Sequence, residues 1–449
     1  MRLCVQGRMQ TALHSFRDGP QATFRIGDLQ LALKAAPALL RRFGGFATSL
    51  VFSTAINLLA IPFVIATLGK GTWGELALAQ ATAAIFGIVV AFGWGTVGAA
   101  LVASLPVRER PQMFLDSLVS RVYLLLFAAP VMYVVMFLIG KIDPPVAALA
   151  SVAYILPFVG ASWFFVGQAS PWKLFLFDVL PQGLGTVVGV VLTQFFPEPL
   201  VFVLSLLAFN LLAVIAGAVG ALSGEWHTVK ADLRVAPAMK RLRDQKYGVI
   251  AAGTGSLNSN LPLLAVNQVV AAALPQYALA DKLFRFAVAG FGPILQVIQG
   301  WIPEAGPARS SHRIRTVARL APFVGLLAGL LLALLTPWAS PLFSSGVITI
   351  DYSLSVPFGL ILAGVIVAQV VGLACLIPLG KGAALAKSTA IGAAFNVPMM
   401  FVLGIMFGAP GVAWAVGLAE LMVAGYQIMV VRDSLKHLVQ PPVATAEPR

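Results

Sequence analysis

The chain has 449 residues, 59% of them apolar and only 10% charged, with a mean hydropathy of +0.91. Soluble domains carry about 25% charged residues, so this composition excludes a soluble globular protein and predicts an all-α integral membrane protein. The formal charge of +13 does not imply a nucleic-acid partner, because in membrane proteins an excess of Lys and Arg serves topology.

Residues 1–45 form a basic N-terminal extension without an apolar run followed by a small-residue cleavage site, so they do not read as a secretory signal. Within them DLQLALKAAPALLRR (28–42) reads either as an interfacial amphipathic helix interrupted at Pro37, or as a cytoplasmic tail or over-long start. A spanning helix needs about 20 mostly apolar residues. Six stretches qualify within 46–222: 46–68, 76–104, 117–140, 146–168, 172–196 and 199–222. A basic linker, 223–247, follows. Six more stretches lie within 248–432: 248–273, 276–301, 317–336, 354–378, 384–408 and 410–431. A polar tail, 433–449, closes the chain.

Alternate loops of this twelve-helix scheme separate the charges. Of 30 Lys and Arg, 25 fall on one side, only Lys70 and Lys141 fall on the other, and Arg121, Lys282 and Arg285 fall inside predicted helices. The positive-inside rule then makes both termini and the linker cytoplasmic, as expected of a multi-pass protein of a bacterial plasma membrane. The opposite loops are short, the longest being about 338–353, which argues against a glycan polymerase or ligase with a large outer catalytic domain. Two cysteines, four scattered histidines and no C-x-x-C, H-E-x-x-H or Walker loop leave metal, redox and ATPase chemistry without a basis. No cofactor is expected; any driving force would be a proton or sodium gradient.

The halves share weak features. INLLAIP (Asn57, Pro62) is echoed by NSNLP (Asn260, Pro262), and PEPLVFVLSL by GAPGVAWAVGL. Such echoes suggest two six-helix bundles around a central cavity. Three longer segments carry a family likeness. IATLGKGTWGELALAQATAAIFGIVVAFGWGTVGAALV resembles the helix one to two junction of Wzx-type oligosaccharide-lipid flippases, a branch of the MATE-like (MOP) superfamily. KSTAIGAAFNVPMMFVLGIMFGAPGVAWAVGLAEL is similar to their last two helices. YALADKLFRF resembles their helix eight opening and the Ala-Asp-Arg-Leu segment of the related lipid II flippases, with Lys282 in place of that Arg. The likeness covers roughly 40–430; Trp73 replaces the usual Tyr, and the N-terminal extension has no counterpart. The resemblance implies a polyprenyl-diphosphate-linked glycan as substrate, with a polysaccharide polymerase and chain-length regulator as possible partners beside membrane lipids. Sugar hydroxyls and a diphosphate do not cross hydrocarbon unaided.

Polar residues inside predicted spans are the candidate site. On helix eight, at about 100° per residue, Asp281, Arg285, Gly292, Gln296 and Gln299 fall within about 60° of one another, and Lys282 lies about 100° from Asp281. One face is polar along its length, as in a helix lining water. Lys282 and Arg285 would then attract a diphosphate or acidic sugars; alternatively Asp281 and Arg285 simply pair while Lys282 snorkels. On helix seven Gly253, Ser256, Asn260 and Asn267 share a face, open to cavity lining or helix packing. Asn57, with Ser53 and Thr54, makes a similar patch on helix one. Asp178 on helix five and Glu420 on helix twelve are candidates for ion or proton coupling, or else neutral packing carboxyls. Arg121 reads as an interfacial anchor. Rival readings are a cation-coupled drug exporter, which would need an acidic cavity, and a scaffold that recruits glycosyltransferases through 223–247.

Overall fold

A computed structural model describes residues 26–224, 227, 229–234, 246–304 and 306–437; side chains of 26–43, 96, 246–255, 257 and 305–309 lie outside the description. Most of the basic linker and the C-terminal tail therefore lie outside it too, as do the side chains of the expected amphipathic segment 28–42. The chain divides into two compact units, residues 1–48 and 49–449. Among the described residues there is no strand, and nine helices are long and apolar enough to cross a membrane.

Helix α1 runs Ile26–Ala91 and α2 Trp94–Ser104, followed by α3 Arg110–Leu138, α4 Pro144–Ala153, α5 Ser162–Gly167 and α6 Pro171–Leu174. A π-helical turn, Phe175–Val179, leads into α7 Leu180–Phe195, and α8 is Pro199–Leu222. The second half holds α9 Lys246–Val269, α10 Leu274–Glu304, α11 Gly306–Phe343, α12 Tyr352–Gln369 with a π-helical extension Val370–Leu376, and α13 Gly382–His437. Helix α7 packs on α8, α4 on α8 and α2 on α5; in the second half α11 packs on α12, and α12 and α9 pack on α13.

The two longest helices are not straight rods. At 1.5 Å per residue α1 would be about 100 Å long, against a hydrocarbon core of about 30 Å. It is broken at Gly69 (φ 82°, ψ 161°), and α13 is broken at Gly408 (φ 68°, ψ −148°). Both conformations suit glycine because it lacks the Cβ that clashes at positive φ. The helix ends expected near 68 and 408 therefore fall at these glycines.

Three expected helices are interrupted or shifted. Helix two was expected to run unbroken through 76–104; it stops at Ala91, crosses Phe92 (φ 38°) and Gly93 (φ 81°), and restarts at Trp94. The restart lets α2 lie hard against α5: a Cβ on Gly98 would sit 2.4 Å from the Trp163 ring, and one on Gly167 would sit 2.6 Å from the Ala99 carbonyl. Helix four, expected over 146–168, ends at Ala153, passes through a 3₁₀ turn at Leu156–Val159 and resumes as α5. Pro157 and Gly160 supply the break. Helix eight begins at Leu274 rather than Gln276, so Leu-Pro-Gln is its first turn, where Pro is tolerated because its missing N–H has no helical partner.

The break in helix four leaves backbone carbonyls without helical partners, and buried polar side chains supply them. Arg121, fully buried, donates Nη1 to the carbonyls of Gly160 (2.8 Å) and Phe158 (3.3 Å). Its Nε and Nη2 reach the carbonyl (3.3 Å) and hydroxyl (3.1 Å) of Ser117, and its guanidinium lies 5.4 Å from the Trp163 ring centre. Asn210 on α8 donates to the Ala153 carbonyl at 2.9 Å. Arg121 is thus a buried structural cation, not the interfacial anchor its place in the sequence suggested.

Candidate functional site

Three helices meet where the charged segment of α10 begins. Arg285 Nε donates to Asp281 Oδ2 at 2.7 Å, one turn away. Its Nη2 donates to the Ser259 carbonyl at 2.8 Å and to Asn260 Oδ1 at 3.2 Å on α9. Asn260 in turn donates to the carbonyl (2.9 Å) and hydroxyl (3.1 Å) of Ser256, and Ser256 donates to the Ala84 carbonyl on α1 at 3.0 Å. A polar thread therefore runs from α10 through α9 to α1. Lys282 makes the second link: its Nζ donates to Gln80 Oε1 on α1. It does not snorkel.

These residues enclose a cavity of about 110 Å³ lined by Gln80, Asn260, Asp281, Lys282 and Arg285 over a floor of small side chains including Ala77, Ala81 and Ala84. Its electrostatics follow from the pairing. The Asp281 carboxylate is matched by Arg285, whereas Lys282 meets only a neutral amide, so the lining keeps a net positive charge. Away from bulk water such a charge attracts anions more strongly than it would at a surface.

Lys282 and Gln80 also border a second cavity of about 60 Å³, whose wall holds Asn57, Trp73, Tyr154 and Phe202. Asn57 is exposed and holds its amide toward the Ser53 carbonyl at 2.8 Å. The expected residues Lys282, Arg285, Asp281, Asn260 and Asn57 thus converge on two adjoining spaces. Asn267 does not join them; with Gln268 it donates to the Ile139 carbonyl at the C-terminus of α3, at 3.0 and 2.6 Å. Gln296 is exposed and Gln299 half-buried further along α10. The space around Gly292, between them and Arg285, is open, since a Cβ there would meet nothing within 4 Å.

The two candidate coupling carboxylates lie elsewhere. Asp178 is buried in the π-helical turn, where its Oδ1 would lie 2.9 Å from a Cβ on Gly160, and Gln182 stands one turn on. Glu420 accepts from Asn258 Nδ2 at 3.1 Å, and Asn258 accepts from Asn396 at 2.6 Å. This chain of amides links α9 to both arms of α13. Gln427, on the same helix as Glu420, instead donates to Ser388 at 3.0 Å.

Sequence reasoning passed over Gln80, Tyr154 and Asn258. Gln80 carried a signal: Ala77, Gln80, Ala81 and Ala84 recur at helical spacing, a small-residue face with one amide that marks close approach of another helix. Asn258 lay off the face that its neighbours Ser256 and Asn260 share, so the helical wheel hid it.

No family model and no curated protein matches the sequence. Solved structures do. A multidrug-resistance MATE family transporter of the MOP superfamily, in an inward-facing conformation, superposes with a TM-score of 0.61 at 15% identity, covering 86% of this chain and 95% of that one. The lipid II flippase MurJ, inward closed, gives a TM-score of 0.66 at 12% identity, covering 87% and 89%. The Vibrio cholerae MATE transporter VcmN gives 0.57 at 13% identity, covering 90% and 98%. The chain therefore has the fold shared by MATE and MurJ transporters of the MOP superfamily.

Proposed function

We propose that this protein is an alternating-access flippase that moves a polyprenyl-diphosphate-linked oligosaccharide from the cytoplasmic to the outer face of a bacterial plasma membrane, for surface polysaccharide synthesis. One observation carries the reading: a cavity between α1, α9 and α10 keeps a net positive charge on Lys282 after Asp281 and Arg285 have paired. An anionic headgroup matches that charge. A lipid II flippase shares the fold, and the Wzx-like motifs fit the same substrate class. Twelve crossings are the topology we favour. Gly69 and Gly408 each divide a helix far too long for one crossing, and α9 adds 24 residues to the nine spans. Asp178 and Glu420 are the residues we assign to coupling with a proton or sodium gradient.

The MATE neighbours offer the rival of a drug exporter. Cationic drugs would need an unpaired carboxylate in the cavity, and Asp281 is tied to Arg285. The test is Lys282→Ala with Arg285→Ala in a strain whose surface glycan depends on this protein. Surface glycan display should be lost at normal protein level, with drug susceptibility unchanged. Normal display would overturn the role of the cavity.

A further inference from the structure

We propose that the two cavities are halves of one binding site, and that the half walled by Asn57, Trp73 and Tyr154 receives the sugar ring next to the lipid diphosphate. The inference rests on the flippase reading and adds a subsite to it. Both spaces touch Ala77, Gln80 and Lys282, and a bond from Lys282 Nζ to Gln80 Oε1 lies on that shared border. That bond joins α10 to α1, so it breaks when the two helices part. Volumes of about 110 and 60 Å³ stay below the ~300 Å³ at which ligand pockets begin even when joined, so a headgroup fits only once the helices part and the halves open into one larger space.

The linings divide the work. On one side stand Lys282, Arg285 and Asn260, a set of N–H donors with excess positive charge, suited to an anion. On the other, the aromatic side chains of Trp73, Tyr154 and Phe202 stand beside Asn57 and Gln80, whose amides can both donate and accept. A pyranose has this duality: an apolar face of C–H groups for an aromatic ring, and hydroxyls at its rim for amides. Once the Lys282–Gln80 bond opens, a purely apolar guest would leave both groups without partners. Lys282, at the border, can release Gln80 and turn its ammonium to the anion once the bond opens.

The experiment measures dissociation constants of the full-length protein in lipid nanodiscs for three probes: geranylgeranyl diphosphate, the same lipid diphosphate carrying one N-acetylglucosamine, and uncharged geranylgeraniol. The sugar should tighten binding to the wild type. Asn57→Ala and Trp73→Leu should each weaken the sugar-bearing probe about tenfold and leave the sugarless diphosphate unchanged. Lys282→Ala with Arg285→Ala should weaken both. Because Trp73 is buried, thermal melts check folding, and Asn57→Ala with Tyr154→Leu serve should Trp73→Leu not fold. A sugar that adds no affinity, or wall variants that weaken both diphosphates equally, would overturn the subsite while leaving the flippase reading standing. If neither diphosphate binds more tightly than geranylgeraniol, both readings fall.

Discussion

Lys282 and Arg285 stand three residues apart on one helix, yet their partners give them different jobs. Arg285 meets a carboxylate at 2.7 Å whose side chain is 12% exposed, and it also holds Asn260 and the Ser259 carbonyl of α9. Removing it leaves Asp281 without its ion-pair partner and takes one donor from the Asn260 amide oxygen, which costs about 1–3 kcal/mol per stranded group. Lys282 gives one charge-assisted bond to a neutral amide, worth about 1.5–3 kcal/mol but offset by the cost of holding its ammonium away from water. Arg285→Ala should therefore lower the thermal unfolding temperature in detergent clearly more than Lys282→Ala. Adding Asp281→Ala to Arg285→Ala should recover part of the loss, because the stranded carboxylate goes with it. Equal melting temperatures for the two single variants would contradict this division between a structural cation and a functional one.

Where helices break, particular side chains hold the break. Gly69 and Gly71 are a matched pair for testing this. A Cβ at either position meets nothing within 4 Å, but only Gly69 has positive φ. Gly69→Ala should destabilise by about 1–2 kcal/mol, whereas Gly71→Ala, in helical backbone, should stabilise by about 0.5–1 kcal/mol. Melting curves of the two variants check the opposite signs. At the break in helix four the support is Arg121, which serves the carbonyls of Phe158 and Gly160 together. Arg121→Leu should destabilise by about 1–3 kcal/mol for each buried carbonyl of Phe158 and Gly160 that it leaves without a partner. Arg121→Lys should not rescue it, because an ammonium lacks the planar fork that reaches those carbonyls and Ser117 at once. Hydropathy made the long apolar stretches legible, and helical spacing made the Asp281–Arg285 pair legible. The interruptions at Phe92 and Ala153 were not, because an apolar run reads alike whether its backbone is straight or broken. Arg121 was misread for the same reason: beside Ser117, two of its partners lie 37 and 39 residues away, beyond any local pattern. The amides around Glu420 escaped notice likewise, since Asn258 and Asn396 meet only through the fold.

Among the described residues of 49–449, several links between first-half and second-half helices lie near the turns that carry Lys70 and Lys141. Lys282 holds Gln80, Ser256 holds the Ala84 carbonyl, and Ser345 reaches the Pro62 carbonyl at 3.3 Å. Gly74 closes against Pro275, where a Cβ would stand 3.2 Å from the ring. Outermost, Asn267 and Gln268 both donate to Ile139, a carbonyl at the end of α3 that no further helical turn can satisfy. In the proposed alternating access, opening that side would break this clasp. Two hydrogen bonds worth about 0.5–1.5 kcal/mol each bias the closed state by about 1–3 kcal/mol, a factor of roughly 5–150 in population. Asn267→Ala with Gln268→Ala touches neither cavity lining, so it should shift the conformational balance without removing a binding group. Spin labels at Lys141 and Ala272, both exposed and flanking the clasp from the two halves, should report a larger share of long distances in the double variant. Where closure rests on the clasp, the gain is at least about fivefold over the parent. An unchanged distance distribution would mean that the packing of Gly74 on Pro275 and the Lys282 link hold that side shut on their own. Adding Lys282→Ala to the double variant would then release it, because that bond is the next link inward and joins the same two halves.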